Sequence, residues 1–118
     1  MICAIARETA IMANSSVFQS KSGLNIQTID IEIEVVEGTG SAPFYCTGTV
    51  KTICFKPPED SSEFDYTIVD EMEYGLAGET ELAGSNTITV EFLCANTNLL
   101  SLSNADDGTY YVRIYAIV

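Results

Sequence analysis

The chain has 118 residues, with 17 acidic and 5 basic side chains and neither histidine nor tryptophan. Its length predicts one domain, and 47% hydrophobic residues is the composition of a folded chain rather than a disordered one. The lack of histidine excludes Ser-His-Asp and Cys-His catalysis and His-ligated metal or haem. A net charge of −12 argues against nucleic acid and anionic membrane as partners.

The N-terminal residues 1–16 are small, Ala-rich and without alternation, which predicts an N-terminal arm or a short helix before a single β domain over 17–118. Ile5 and Ile11 are candidate contacts if this arm lies on a neighbouring subunit. The first residues lack a basic stretch and their apolar run ends at Arg7, so they do not indicate a signal peptide. No segment approaches the ~20 apolar residues of a membrane span. We therefore expect assembly in a cytoplasm.

The first half of the domain shows strand patterns. Residues 17–23 predict a short strand or loop. In 24–36, isoleucine and valine alternate with Asp and Glu, which predicts a strand with one buried face. Leu24 and Ile26 have the opposite phase, so we expect a bulge near Thr28. Residues 37–41 predict a loop. Residues 44–55 predict a β-rich stretch with a bend or bulge at Gly48, and Pro57 ends it.

The second half continues the pattern. Alternation predicts strands around 64–68 and 87–92, and a short strand around 99–102. Four Gly and Asn residues in 75–86 predict turns with at most a short strand. Residues 104–108 predict a tight turn before a last strand over 109–118. Seven or eight short strands without a long helix predict an all-β antiparallel β-sandwich or jelly roll, and local patterns leave its strand order open.

Both faces of the last strand are substantially apolar, which predicts a central or interfacial strand. Tyrosine and arginine are enriched at protein interfaces, but core packing with the hydroxyls at the rim is the slightly favoured interpretation of the tyrosines. The interface candidates are Tyr110, Tyr111, Arg113 and Tyr115.

An acidic stretch between Pro57 and Glu81 holds nine carboxylates and no basic residue. A solvated strand face and loop is the favoured interpretation, with calcium binding and contact with a basic partner as alternatives. The chain has four cysteines and no C-x-x-C pair, so we expect free thiols and no structural metal site. Paired carboxylates could hydrolyse a glycoside, but the tryptophan platforms common in such sites are absent. We therefore predict a non-enzymatic protein without cofactors.

Two segments carry a resemblance, namely Phe64–Asp70 and Asp107–Tyr115, separated by the glycine-rich residues 75–84. Over about the last 55 residues the chain resembles small virion proteins of tailed bacteriophages. Such proteins are β-sandwich or jelly-roll domains that decorate or cement capsids, or serve as tail and fibre modules. The resemblance implies a structural protein that binds a lattice of major capsid or tail proteins and forms a homo-oligomer such as a trimer. The alternative is a tail, fibre or adhesin-type ligand-binding module, which an exposed aromatic platform would favour.

Overall fold

The computed structural model describes residues 13–19, 23–94 and 97–118, which form two antiparallel sheets. The strands are β1 (Ala13–Gln19), β2 (Asn25–Val35), β3 (Gly40–Tyr45), β4 (Gly48–Lys56), β5 (Glu63–Val69), β6 (Gly75–Ala83), β7 (Asn86–Cys94), β8 (Thr97–Ser103) and β9 (Gly108–Ile117). The all-β sandwich prediction is confirmed. None of these residues forms a helix that is long and apolar enough to cross a membrane.

The strand order is that of a jelly roll with one added strand. One sheet has the order β1-β2-β9-β4-β7 and the other β3-β8-β5-β6. Without β1, each sheet has four strands. Strands that follow one another along the chain then mostly lie in opposite sheets, as in a jelly roll. Strand β1 extends the first sheet at the edge beside β2. The last strand, β9, lies between β2 and β4, so its predicted central position is confirmed.

The core lies between the sheets and is filled by alternate residues of each strand. Its aromatic centre holds Phe55 at ring-centroid distances of 5.2 Å from Phe64 and 4.9 Å from Tyr66. Tyr110 packs edge-on against Phe64 at 5.5 Å, and its hydroxyl donates a hydrogen bond to the Asp106 carbonyl oxygen. This packing fixes the inward face of β9 and so directs its alternate residues outward.

The predicted bulge near Thr28 is wrong. Residues 26–35 of β2 pair without interruption with β9, so Ile26 lies on the outer face beside its partner Ile117. Gln27 takes the inward position opposite Ala116. Because Ile26 lies beside the apolar Ile117 on the outer face, the two alternating sets, Leu24 with Ile26 and Ile29 to Val35, need not both point inward. The register shift of this sheet lies instead in β4, between Val50 and Thr52.

Two stretches differ from the expected boundaries. Residues 75–86 hold the nine-residue strand β6 rather than mostly turns. Among the described strands β6 is an edge strand whose partner is β5, and it accommodates glycines through two register irregularities. Strand β1 covers residues 13–19, which include the last four residues of the expected arm. The arm's candidate contacts Ile5 and Ile11 lie outside the described residues.

The expectation of free thiols is wrong for Cys46 and Cys94, which form a disulfide across 48 residues of sequence. Cys46 follows β3 and Cys94 ends β7, so the bond joins the two sheets. Strand order, which the sequence leaves open, brings these two positions together. Cys54 is a free cysteine, as expected.

Candidate functional site

The outer face of the five-stranded sheet carries a row of polar and aromatic side chains on its central strand. Tyr111, Arg113 and Tyr115 alternate with the buried residues of β9 and therefore point away from the core. Tyr111 is 53% exposed. Three of the four predicted interface residues of β9 thus share one outer face.

A groove of about 620 Å³ lies over this face. Tyr111 and Arg113 line it from β9, between Asp30 and Glu32 of β2 on one side and residues of β4 and β7 on the other. The residues of that second wall are Cys54, Phe55 and Lys56 of β4, Asn86 and Thr87 of β7, and Ser85, which directly precedes β7. Because its floor is formed by paired strands rather than loops, the groove is a rigid concave surface of the kind that binds small ligands.

A bidentate ion pair fixes one side chain in the groove. Arg113 Nε and Nη2 donate to the two carboxylate oxygens of Asp30, at 2.6 and 3.0 Å. The hydrogen bonds that Arg113 donates to Asp30, with a further one at 3.5 Å to the Tyr115 hydroxyl, raise the pKa of Arg113. The guanidinium is therefore permanently charged, planar and held in one orientation, although it is about half exposed.

The three basic residues of the described chain all lie on this face. Lys51, at the β4 bulge, pairs with Glu91 of β7 at 3.1 Å, and Arg113 pairs with Asp30. Lys56 lies opposite Tyr111 in the strand register and has no ion-pair partner among the described residues. This face therefore carries all three basic side chains of the described residues, although the chain as a whole has a net charge of −12.

Tyr110, the remaining interface candidate, is fully buried in the core. The structure does not bring it together with Tyr111, Arg113 and Tyr115, because adjacent residues of a strand point to opposite faces. Sequence reasoning missed Asp30, Glu32 and Lys56 as neighbours of Tyr111. Alternation predicted that Asp30 and Glu32 point outward, but only the register of β2 and β4 against β9 shows that all three residues adjoin Tyr111.

The acidic stretch supplies hydrogen-bond acceptors for turns. Asp70 accepts from the backbone N–H groups of Met72 and Tyr74 at 2.9 Å. Asp65 accepts from the Asn104 side chain and the Glu81 N–H, and these bonds lower the pKa of its carboxyl. In the described part of the chain, no group of three or more Cys, Asp or Glu side chains is placed to hold a metal ion.

Comparisons with models of protein families and with curated protein sequences give no match. Among solved structures, the following matches have low identity and TM-scores below 0.5. The C-terminal CBM6, a carbohydrate-binding module, of the laminarinase LamC from Zobellia galactanivorans is 16% identical, with 91% of this chain and 93% of that chain covered and a TM-score of 0.40. The CBM6 domain CsCBM6-3 from Clostridium stercorarium, solved with cellobiose, is 9% identical, with 96% and 90% covered and a TM-score of 0.42. Tailspike protein 4 of bacteriophage CBA120 is 7% identical with a TM-score of 0.37, and 93% of this chain matches 18% of that one.

Proposed function

We propose that the chain is a non-enzymatic ligand-binding module whose groove on the five-stranded sheet binds a saccharide. The observation that carries the proposal is the groove itself, in which the exposed ring of Tyr111 lies on the central strand. This exposed ring is the aromatic platform that favours a ligand-binding module over a purely structural one. The platform is tyrosine, so the absence of tryptophan from the chain does not exclude it.

The groove combines the two contacts that a sugar ring needs. The face of Tyr111 can pack against the apolar C–H face of a pyranose. Asp30 and Glu32 are acceptors for sugar hydroxyls on one side, and Arg113 is a donor that the Asp30 pair holds in place. A pre-ordered guanidinium loses little side-chain entropy on binding, which favours affinity for a small ligand.

The test is isothermal titration of the full chain with a panel of neutral and acidic oligosaccharides, repeated with Tyr111→Ala. An aromatic residue at the centre of a site contributes about 2 kcal/mol, so the variant should bind about 30-fold more weakly. Tyr45→Ala is the matched control, because Tyr45 is 59% exposed but lies on β3 of the other sheet. Unchanged affinity in Tyr111→Ala, or equal losses in both variants, would contradict the proposed site.

Attachment to a virion lattice and formation of a homo-oligomer remain predictions. Their expected contacts were Ile5 and Ile11, outside the described residues, and the last strand, whose exposed Tyr111 and Arg113 line the groove. Deletion of residues 2–14 tests this function separately. If the arm binds a lattice, the shortened protein should no longer attach to particles. If the groove binds a saccharide, the shortened protein should keep its affinity for the sugar.

A further inference from the structure

The two walls of the groove differ in charge. Asp30 and Glu32 on the β2 side are both carboxylates, whereas no carboxylate among the described residues lines the groove on the β4 and β7 side. Tyr111 separates the walls, since it pairs with Glu32 in one neighbouring strand and with Lys56 in the other. With neighbouring strands about 4.8 Å apart, the Cα atoms of Glu32 and Lys56 are about 10 Å apart across the ring.

Lys56 is the charged group of the second wall whose charge is not used within the fold. The other two described basic residues are held by Glu91 and Asp30, and Lys56 forms no ion pair with the described residues. Ser85 and Thr87, which carry hydroxyl groups, line the same wall. An ammonium group and nearby hydroxyl donors match the acceptors of a carboxylate.

We propose that the groove selects a saccharide unit that carries one carboxylate, such as a uronic acid, and that this carboxylate binds at Lys56. The inference rests on the proposed saccharide function and deepens it. The sugar ring stacks on Tyr111 and donates hydroxyl hydrogen bonds to Glu32. The reverse orientation places the ligand's carboxylate against the carboxylates of Asp30 and Glu32, where like charges repel.

The charge of the whole chain limits the ligand to an isolated carboxylate. With a net charge of −12, the protein repels each further anionic group that lies beyond the reach of Lys56. A neutral chain with a single uronic acid therefore fits this groove better than a polyuronate does.

The experiment uses matched probes. Tetraoses of β-1,4-glucose, β-1,3-glucose, β-1,4-mannose and α-1,4-galactose are each titrated beside a counterpart in which one unit is oxidised to its uronic acid. At least one acidic member should bind about tenfold more tightly than its neutral partner. Lys56→Gln should remove that difference. Lys51→Gln should retain it, because Lys51 pairs with Glu91 on the same face.

The outcomes separate this inference from the function on which it depends. Equal binding of neutral and acidic partners, with no effect of Lys56→Gln, overturns the carboxylate inference and leaves the saccharide groove standing. An acidic preference that survives Lys56→Gln places the carboxylate elsewhere and also overturns it. Binding of none of the eight probes to the full chain overturns both.

Discussion

Removal of the disulfide between Cys46 and Cys94 should cost a large part of the stability of this fold. The bond closes a loop across 48 residues of sequence. For a loop of that length, the chain-entropy relation gives about 14 cal/mol/K of lost denatured-state entropy, or about 4 kcal/mol at 25 °C. Domains of this size are stable by about 5–15 kcal/mol, so the double change Cys46→Ala and Cys94→Ala should leave a folded but much weaker protein.

Equilibrium unfolding in urea, followed by tyrosine fluorescence and circular dichroism, measures this cost. With a urea dependence of about 2 kcal/mol per molar, a loss of 4 kcal/mol moves the midpoint down by about 2 M. Addition of a reductant to the unaltered chain should lower its midpoint similarly and should not affect the double variant. Cys54→Ala is the control, since Cys54 is free and its variant should keep the full response to reductant.

Two results would refute the reasoning. Alkylation of Cys46 and Cys94 in denaturant without reductant would show that the bond does not form. A midpoint that stays constant on reduction, with the bond shown to be present beforehand, would show that loop closure contributes little in this chain.

Two other substitutions test the fold in opposite directions. Gly48→Ala should destabilise it by more than about 1 kcal/mol in the same urea assay, because Gly48 has φ of 101° and an added Cβ would lie 2.2 Å from the Ile117 carbonyl oxygen. Tyr66→Phe should stabilise it by about 1 kcal/mol, because the buried Tyr66 hydroxyl has no hydrogen-bond partner in the described part of the chain. Burial also raises the pKa of Tyr66 from 10.0 to about 12, so the unfolded state ionises first and stability should fall as pH rises between these values. In Tyr66→Phe this loss of stability at alkaline pH should be smaller. An unchanged dependence of stability on pH would contradict its attribution to Tyr66.

Strands with one buried face were predictable because their alternation is a local property. The pattern in 24–36 predicted a strand, and β2 occupies 25–35 of it. Gly48 was expected at a bend or bulge; it is the first residue of β4, and its φ of 101° suits glycine. The edge strand β6 was not predictable in the same way, since it has little buried surface and its glycines resemble turn signals.

Contacts between distant segments were beyond local patterns. Cys46 and Cys94 are neighbours only because β3 and β7 end close together in the jelly roll. The same holds for the groove, where Glu32, Lys56 and Tyr111 come from three separate parts of the chain. Tyr111 was named as a candidate from the sequence, but its charged neighbours depend on the register of the adjacent strands. A slip of one residue in that register would replace all of these neighbours.

The position of Lys56 bears directly on whether the groove has been shaped by a ligand. Arg113 has a role within the fold, because it lies opposite Asp30 and offsets one of three outward carboxylates on β2. Lys56 lies opposite Tyr111 and offsets none by direct contact. Lys56→Gln should therefore change the free energy of unfolding by less than about 0.5 kcal/mol, as is usual for an exposed residue without specific contacts. If stability instead falls by 1 kcal/mol or more, Lys56 supports the fold, and its place in the groove no longer argues for an acidic ligand.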